Sequence, residues 1–397
     1  MAELHIPPGI NYECTSCGKC CGGWAVPLTE EDFERISAES WSAQNSPLAA
    51  KSPFRQLTKY EAQNTPYTHK IVSESQFCPF LVDKLCLIHA RYSAEFKPSI
   101  CQLFPYSFAE TPSGVYATVS FVSVGAIENS GQPLVMQRAL LERKWQDFRK
   151  LFPSYSPDWS QIKLTVNQPL SWDDYLLMES KLLEFLRLRD RPLEERMLAG
   201  SRYLVSQLET AGGTSAVQGN YPLGGLKPLD KHLLSFFHKM YFPTRPQRRG
   251  EADFHIGRLV CQRFLQSPTL SFPGRSFSIA QLQSFPFAND DPQIEDLLYR
   301  YFYSYIFGKK YFGAGFGQVS LIAGYHHLIL LLALIKLHAR GLAEMRGAQV
   351  ADISDVVATI RQLERQLGET KLGGWAAAAW ELLLFSPLRA NRALSNS

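Results

Sequence analysis

From about residue 132 to the C-terminus, apolar residues recur at three- and four-residue spacings, the period of helices that bury one face. Leu176, Leu177, Leu182, Leu183 and Leu186 make one such stripe. The pattern predicts helices over 133–151, 172–189, 192–210, 229–241, 253–266, 292–307, 319–340, 351–367 and 374–385. Local signals agree: Ser171 suits an N-cap, Pro192 a first helical turn and Gly368 a stop. Residues 153–170, the Gly-rich 211–228 and 243–250 read as loops. Before residue 128 the texture is different, with short elements punctuated by Pro and Gly. One helix is expected to start near Thr29, with Asp32 as a loose capping-box partner. One strand-like run, Val115 to Val124, is rich in Val, Thr and Phe.

The most apolar stretch, Leu321 to Leu337, contains His326, His327 and Lys336 and falls short of a clean membrane span. It reads as a buried helix, so no membrane is expected. The N-terminal MAELHIPPGINYEC has neither a basic region nor an apolar core of the secretory kind. The cytoplasm is therefore the expected compartment, where thiols stay reduced. With 397 residues, 45% of them apolar, the chain can bury a large core without disulfides. Its net charge of +4, from 41 basic and 37 acidic residues, is too balanced to point to nucleic acid.

Cysteine placement changes the picture most. Of eight cysteines, only Cys261 lies outside 14–101. The first batch is Cys14-x2-Cys17-x2-Cys20-Cys21. Two-residue spacers let a tight turn aim sulfurs at one metal, and Gly18, Gly22 and Gly23 permit such turns. The second batch is Cys78-x7-Cys86-x2-His89-x11-Cys101. Seven thiols and the His89 imidazole would fill two four-coordinate zinc sites. Alternatively, four cysteines would hold one iron–sulfur cluster, leaving the others for a second metal or for chemistry. A disulfide framework fits poorly without a secretion signal. Cys261 sits on the apolar stripe of a predicted helix and reads as core. The fold expected is mainly α. A small irregular, metal-organised Cys-rich module with a short strand element (1–128) is docked on a multi-helix domain (129–397).

The CxxCxxCC run, followed by CPFL, LCLIH and KPSICQLFPY, resembles the YkgJ-type cysteine-cluster proteins, described as zinc- or iron-chelating domains. The resemblance covers 14 to about 108 and implies metal binding through Cys14, Cys17, Cys20, Cys21, Cys78, Cys86 and Cys101. A narrower resemblance is to the flagellin lysine-N-methylases. It rests on Cys20-Cys21-Gly22-Gly23-Trp24 before an apolar segment and on the aromatic run 297–312. It implies an iron–sulfur cluster, S-adenosylmethionine and a protein substrate. Where that group carries a further Cys after the strand, this chain has Phe121.

Other candidates read as structure. Gly313-Ala-Gly315-Phe-Gly317 precedes the long apolar helix but lacks the G-x-G-x-x-G form. A helix-to-helix turn is the better reading than a nucleotide or methyl-donor loop. His326 and His327 face about 100° apart on a helix and read as buried, hydrogen-bonded groups. Arg245, Arg248 and Arg249 read as solvated surface. Tyr299, Tyr301, Phe302, Tyr303 and Tyr305 read as core, with a pocket for a lysine cation as the alternative. The function expected is metal binding through the cysteine cluster, with a protein lysine N-methyltransferase as the alternative.

Overall fold

A computed structural model describes the chain except residues 1–2, 23–24, 42–51, 64, 73–76, 210–223, 245–267 and 370–373. The predicted helix 253–266, Cys261 and the arginines of 245–249 lie outside the described residues. The chain divides into two compact units. The first comprises 1–110 and 114–156, and the second 111–113 and 157–397.

The first unit holds two small cores. In one, β1 (Leu4–His5) runs parallel to β8 (Gly114–Val119), which pairs in turn with β7 (Tyr106–Thr111). Every position of β8 is buried. The strand-like run therefore ends at Val119. Residues beyond it turn into α4 (Val124–Ile127). Helix α5 (Arg138–Leu151) adds Leu141, Trp145 and Phe148 to the core of Leu4, Ile10, Tyr12, Phe108, Val115, Ala117 and Val119. This packing carries the unit to Ser156, past the boundary at 128 expected from texture alone.

The second core lies under an antiparallel sheet of β2 (Val26–Leu28), β4 (His69–Ile71) and β3 (Phe54–Gln56), in that order. Against it lies α1 (Glu30–Ser37). Its start is a complete capping box: the Asp32 N–H donates to Thr29 Oγ1 at 3.1 Å and the Thr29 N–H donates to Asp32 Oδ2 at 3.3 Å. The hairpin β5 (Leu81–Val82)–β6 (Leu85–Cys86) leads into α2 (Leu87–Arg91), and α3 (Ser99–Leu103) follows. Val26, Leu28, Ile36, Ile71, Phe80 and Ile88 form this core, and Cys78, Cys86 and Cys101 pack on it.

The second unit is helical. It contains the small antiparallel pairs β9 (Lys163–Thr165)–β10 (Gln168–Pro169) and β11 (Thr269–Phe272)–β12 (Arg275–Ser278). Among the described residues its helices are α6 (Trp172–Arg187), α7 (Leu193–Glu209), α8 (Pro228–Tyr241), α9 (Ile279–Ser284), α10 (Pro292–Phe307), α11 (Leu321–Met345), α12 (Ile353–Glu369), α13 (Gly374–Leu384) and α14 (Pro387–Ser395). The pattern-based expectations hold for the long helices. The short α9, α14 and both hairpins are too brief to show a period. Helix α11 is the axis of the unit, packed by α7, α8, α9, α12, α13 and α14. Among the described residues it alone is long and apolar enough to cross a membrane, and its apolar window is wholly buried.

Burying a helix on all sides forces its polar side chains to find partners. His326 meets Ser201 Oγ at 2.9 Å and the Leu384 carbonyl at 2.7 Å. His327 meets Tyr241 Oη at 2.6 Å, and His338 meets His238 at 2.8 Å. Lys336 pairs with Glu194. Gly341 is required because a Cβ there would lie 2.0 Å from the Phe272 ring. Helix α10 ends in a Schellman motif, with the Lys310 N–H donating to Tyr305 O and the Lys309 N–H to Ile306 O. Lys309 occupies the left-handed position (φ 54°) where glycine is usual. Its ammonium explains the choice: it is fully buried and donates to Glu179 Oε1 at 2.7 Å and to the Phe307 carbonyl at 2.9 Å.

Candidate metal centre

The first cysteine batch lies in the loop between β1 and β2. Ser16 and Gly18 have positive φ (50° and 68°), and the Cys21 N–H closes a turn on the Gly18 carbonyl at 3.0 Å. The missing side chain of Gly18 matters. A Cβ there would stand 3.1 Å from Leu81 and 3.3 Å from the Lys84 backbone, so the loop lies close on the β5–β6 hairpin. That hairpin turns through Asp83 and Lys84, both left-handed, and pairs Leu81 with Cys86.

Backbone bonds then tie the two batches together. The Cys78 N–H donates to the Cys21 carbonyl at 2.8 Å, and Gly22 bridges Phe77. The Leu81 N–H donates to the Cys78 carbonyl at 2.9 Å. Cys101 arrives from α3 onto the same core as Cys78 and Cys86. Cys21, Cys78, Cys86 and Cys101 are therefore gathered from three separate segments. None of the seven described cysteines is in a disulfide.

Electrostatics report the same neighbourhood. Burial pushes the Cys21 thiol up to about 11, with Cys86 and Cys20 adding and Lys97 opposing. Burial pushes Cys78 up to about 12, with Cys86 and Cys21 adding to it. Cys101 is driven well above the ordinary thiol range by burial, then by Cys78, Cys86 and Cys21. Burial, with neighbouring thiolates adding repulsion, favours the protonated form of Cys21, Cys78 and Cys101. A cation reverses that sign, and an all-sulfur donor set suits a soft metal rather than magnesium or calcium. By the chemistry of its donors the set fits zinc or an iron–sulfur cluster. Among the described residues, no three His, Cys, Asp or Glu side chains converge closely enough to hold an ion without moving. The set is gathered but not closed.

The other predicted ligands are Cys14, Cys17, Cys20 and His89. Cys14 is exposed, and its charge acts on Tyr12 and Tyr106 as well as on Cys21. Cys20 approaches Ser123 Oγ at 4.0 Å, which also bonds Tyr12. Burial pushes Cys17 up, but the Thr15 hydroxyl, the Lys19 amide and the Lys19 ammonium outweigh it and hold the thiol below its ordinary range. His89 is exposed on α2, next to the buried Ile88 that faces the core. Sequence reasoning missed Ser123, Lys97 and Asp32. Of these only Asp32 left a trace, as the capping partner of Thr29.

A comparison with protein families places residues 13–120 in the class this geometry suggests. They match the CxxCxxCC family, described as a proposed zinc- or iron-chelating domain, in agreement with the YkgJ-type resemblance. One relative is an uncharacterized protein of Methanocaldococcus jannaschii, 29% identical over 101 residues. The match covers 25% of this chain and 30% of that protein. No solved structure matches the chain.

Proposed function

We propose that the first unit is a metal-chelating module in which Cys21, Cys78, Cys86 and Cys101 hold one zinc ion or one iron–sulfur cluster. The observation that carries this reading is the packing of Cys78, Cys86 and Cys101 on one core, with Cys21 tied to Cys78 by a backbone hydrogen bond. The metal would supply folding free energy by cross-linking those segments. Cys14, Cys17 and Cys20, on the more open loop, are left for a second ion or for an open coordination position. Seven thiols outside disulfides suit a reducing compartment such as the cytoplasm.

A methylase using S-adenosylmethionine on a protein lysine rests on the narrower resemblance alone. In the second unit, Tyr301, Phe302, Tyr303 and Tyr305 are buried as core. The Gly313, Gly315 and Phe316 amides all donate to carbonyls of the same loop. Neither observation favours that reading over simple chelation.

The test is to purify the full chain without oxygen and measure zinc, iron and sulfide per chain. Absorbance at about 400 nm distinguishes sulfur-ligated iron from colourless zinc. A purified chain that takes up neither metal overturns the proposal.

A further inference from the structure

We infer that Asp32 is a positioning residue for Cys101, an inference that rests on the metal-chelating reading. Helix α3 carries Cys101 two residues after its first residue, Ser99. Its own N-cap is Pro98, which offers no side-chain hydrogen bond. A carboxylate from another element fills that role. Asp32 is fully buried. Its Oδ1 accepts from the Ser99 N–H at 3.1 Å, from Ser99 Oγ at 2.9 Å and from Arg35 Nη2 at 2.6 Å. Its Oδ2 accepts from the Ser99 N–H at 3.0 Å and from the Thr29 N–H at 3.3 Å. Negative charge at a helix N-terminus is favourable, and here it is aimed at a helix 67 residues away in sequence.

The same guanidinium extends the clamp. Arg35 Nη2 also donates to the Lys97 carbonyl at 3.1 Å, on the segment leading into α3. The residues just after α1 contact the segment that carries Cys78 and Cys86 and the helix that follows it. Arg91 Nη1 donates to the Ser40 carbonyl at 2.6 Å, and Trp41 lies edge-on to Phe80 at 4.9 Å. Helix α1 together with the residues after it thus ties two cysteine-bearing segments, and Asp32 is the attachment at the Cys101 end. A buried carboxylate without such duty is costly, and a neutral residue would serve the core as well.

The experiment compares Asp32→Asn with Ile36→Ala in the full chain. Ile36 is buried on the same helix and in the same core but touches neither Ser99 nor Arg35 in any hydrogen bond. Asparagine turns one acceptor into a donor facing the Ser99 and Thr29 amides. Zinc affinity is measured by chelator competition, and thiol alkylation is mapped by mass in the metal-free protein. Asp32→Asn is expected to weaken zinc binding by about 10–100-fold, the range for outer-shell partners of metal ligands. It is also expected to make Cys101 selectively more reactive than Cys21 or Cys78. Ile36→Ala is expected to lower unfolding stability with no such selectivity. Wild-type zinc affinity in Asp32→Asn, or the same Cys101 selectivity in Ile36→Ala, overturns the inference. If the wild type takes up neither zinc nor iron, the metal reading fails, and the alkylation map still decides whether Asp32 positions Cys101.

Discussion

Three histidines on α11 make the second unit sensitive to mild acid. Burial pulls His326 down to about 4, and His327 and His338 down to about 3. The unfolded chain holds these imidazoles at the ordinary value of 6.5. A base depressed on folding contributes stability that is present above the unfolded value. That stability is lost as pH falls toward the folded one, because the unfolded chain then binds the extra protons. Between about pH 6.5 and pH 5 each histidine removes on the order of 1–2 kcal/mol, and the three together on the order of 5 kcal/mol. That is a large share of the stability of a typical domain, about 5–15 kcal/mol. Carboxylates act lower. Burial alone would raise Glu194, but Lys336 outweighs it and holds it below its ordinary 4.5, so its contribution is lost only in stronger acid. The assay is urea unfolding followed by circular dichroism from about pH 7.5 to about pH 5, on wild type and His327→Gln. Glutamine can still bond Tyr241 Oη but does not titrate. The expected result is a steep wild-type loss whose pH slope falls by about a third in the variant. A flat wild-type profile, or an unchanged slope in His327→Gln, refutes the reasoning.

Lys309→Met should destabilise the second unit by about 3–5 kcal/mol, because it strands the buried Glu179 carboxylate. Lys309→Gly should cost about 1 kcal/mol less, since glycine accepts the left-handed backbone; equal denaturation midpoints for wild type and Lys309→Met would sink this. Cys86→Ser should abolish one metal equivalent per chain, measured by elemental analysis, whereas Cys261→Ser should leave the content intact. Gly341→Ala should lose about 1–3 kcal/mol in thermal or urea unfolding despite alanine's better helix propensity, because its methyl enters the Phe272 ring.

Much of this molecule is local and therefore readable along the chain. The apolar period alone predicts a helix over 292–307, and the structure places it at Pro292–Phe307. Thr29 and Asp32 announced α1 because a capping box spans four residues. The Cys-x2-Cys-x2-Cys-Cys run announced sulfur chemistry for the same reason: turn, spacing and donor type are all carried by eight residues. The two adjacent histidines of α11 were readable as buried groups because adjacent helical residues cannot share one ligand.

What tertiary structure decided depends on residues far apart in sequence. Spacing left open how seven thiols and His89 divide. The division we propose rests on the Cys78–Cys21 backbone bond, on the pairing of Leu81 with Cys86 and on the packing of α3, none of which has a local signature. His89 lies next to Cys86 in the motif, yet a short helix turns it to solvent while Ile88 takes the core. Asp32 looked like a cap for its own helix. Only the fold brings Ser99 to it, because a buried carboxylate serves every donor that packing delivers, and packing is not written in neighbouring residues. The sequence by itself determined which chemistry the first unit carries. Long-range packing brings Cys21 to Cys78 and places Cys101 on the core that Cys78 and Cys86 share.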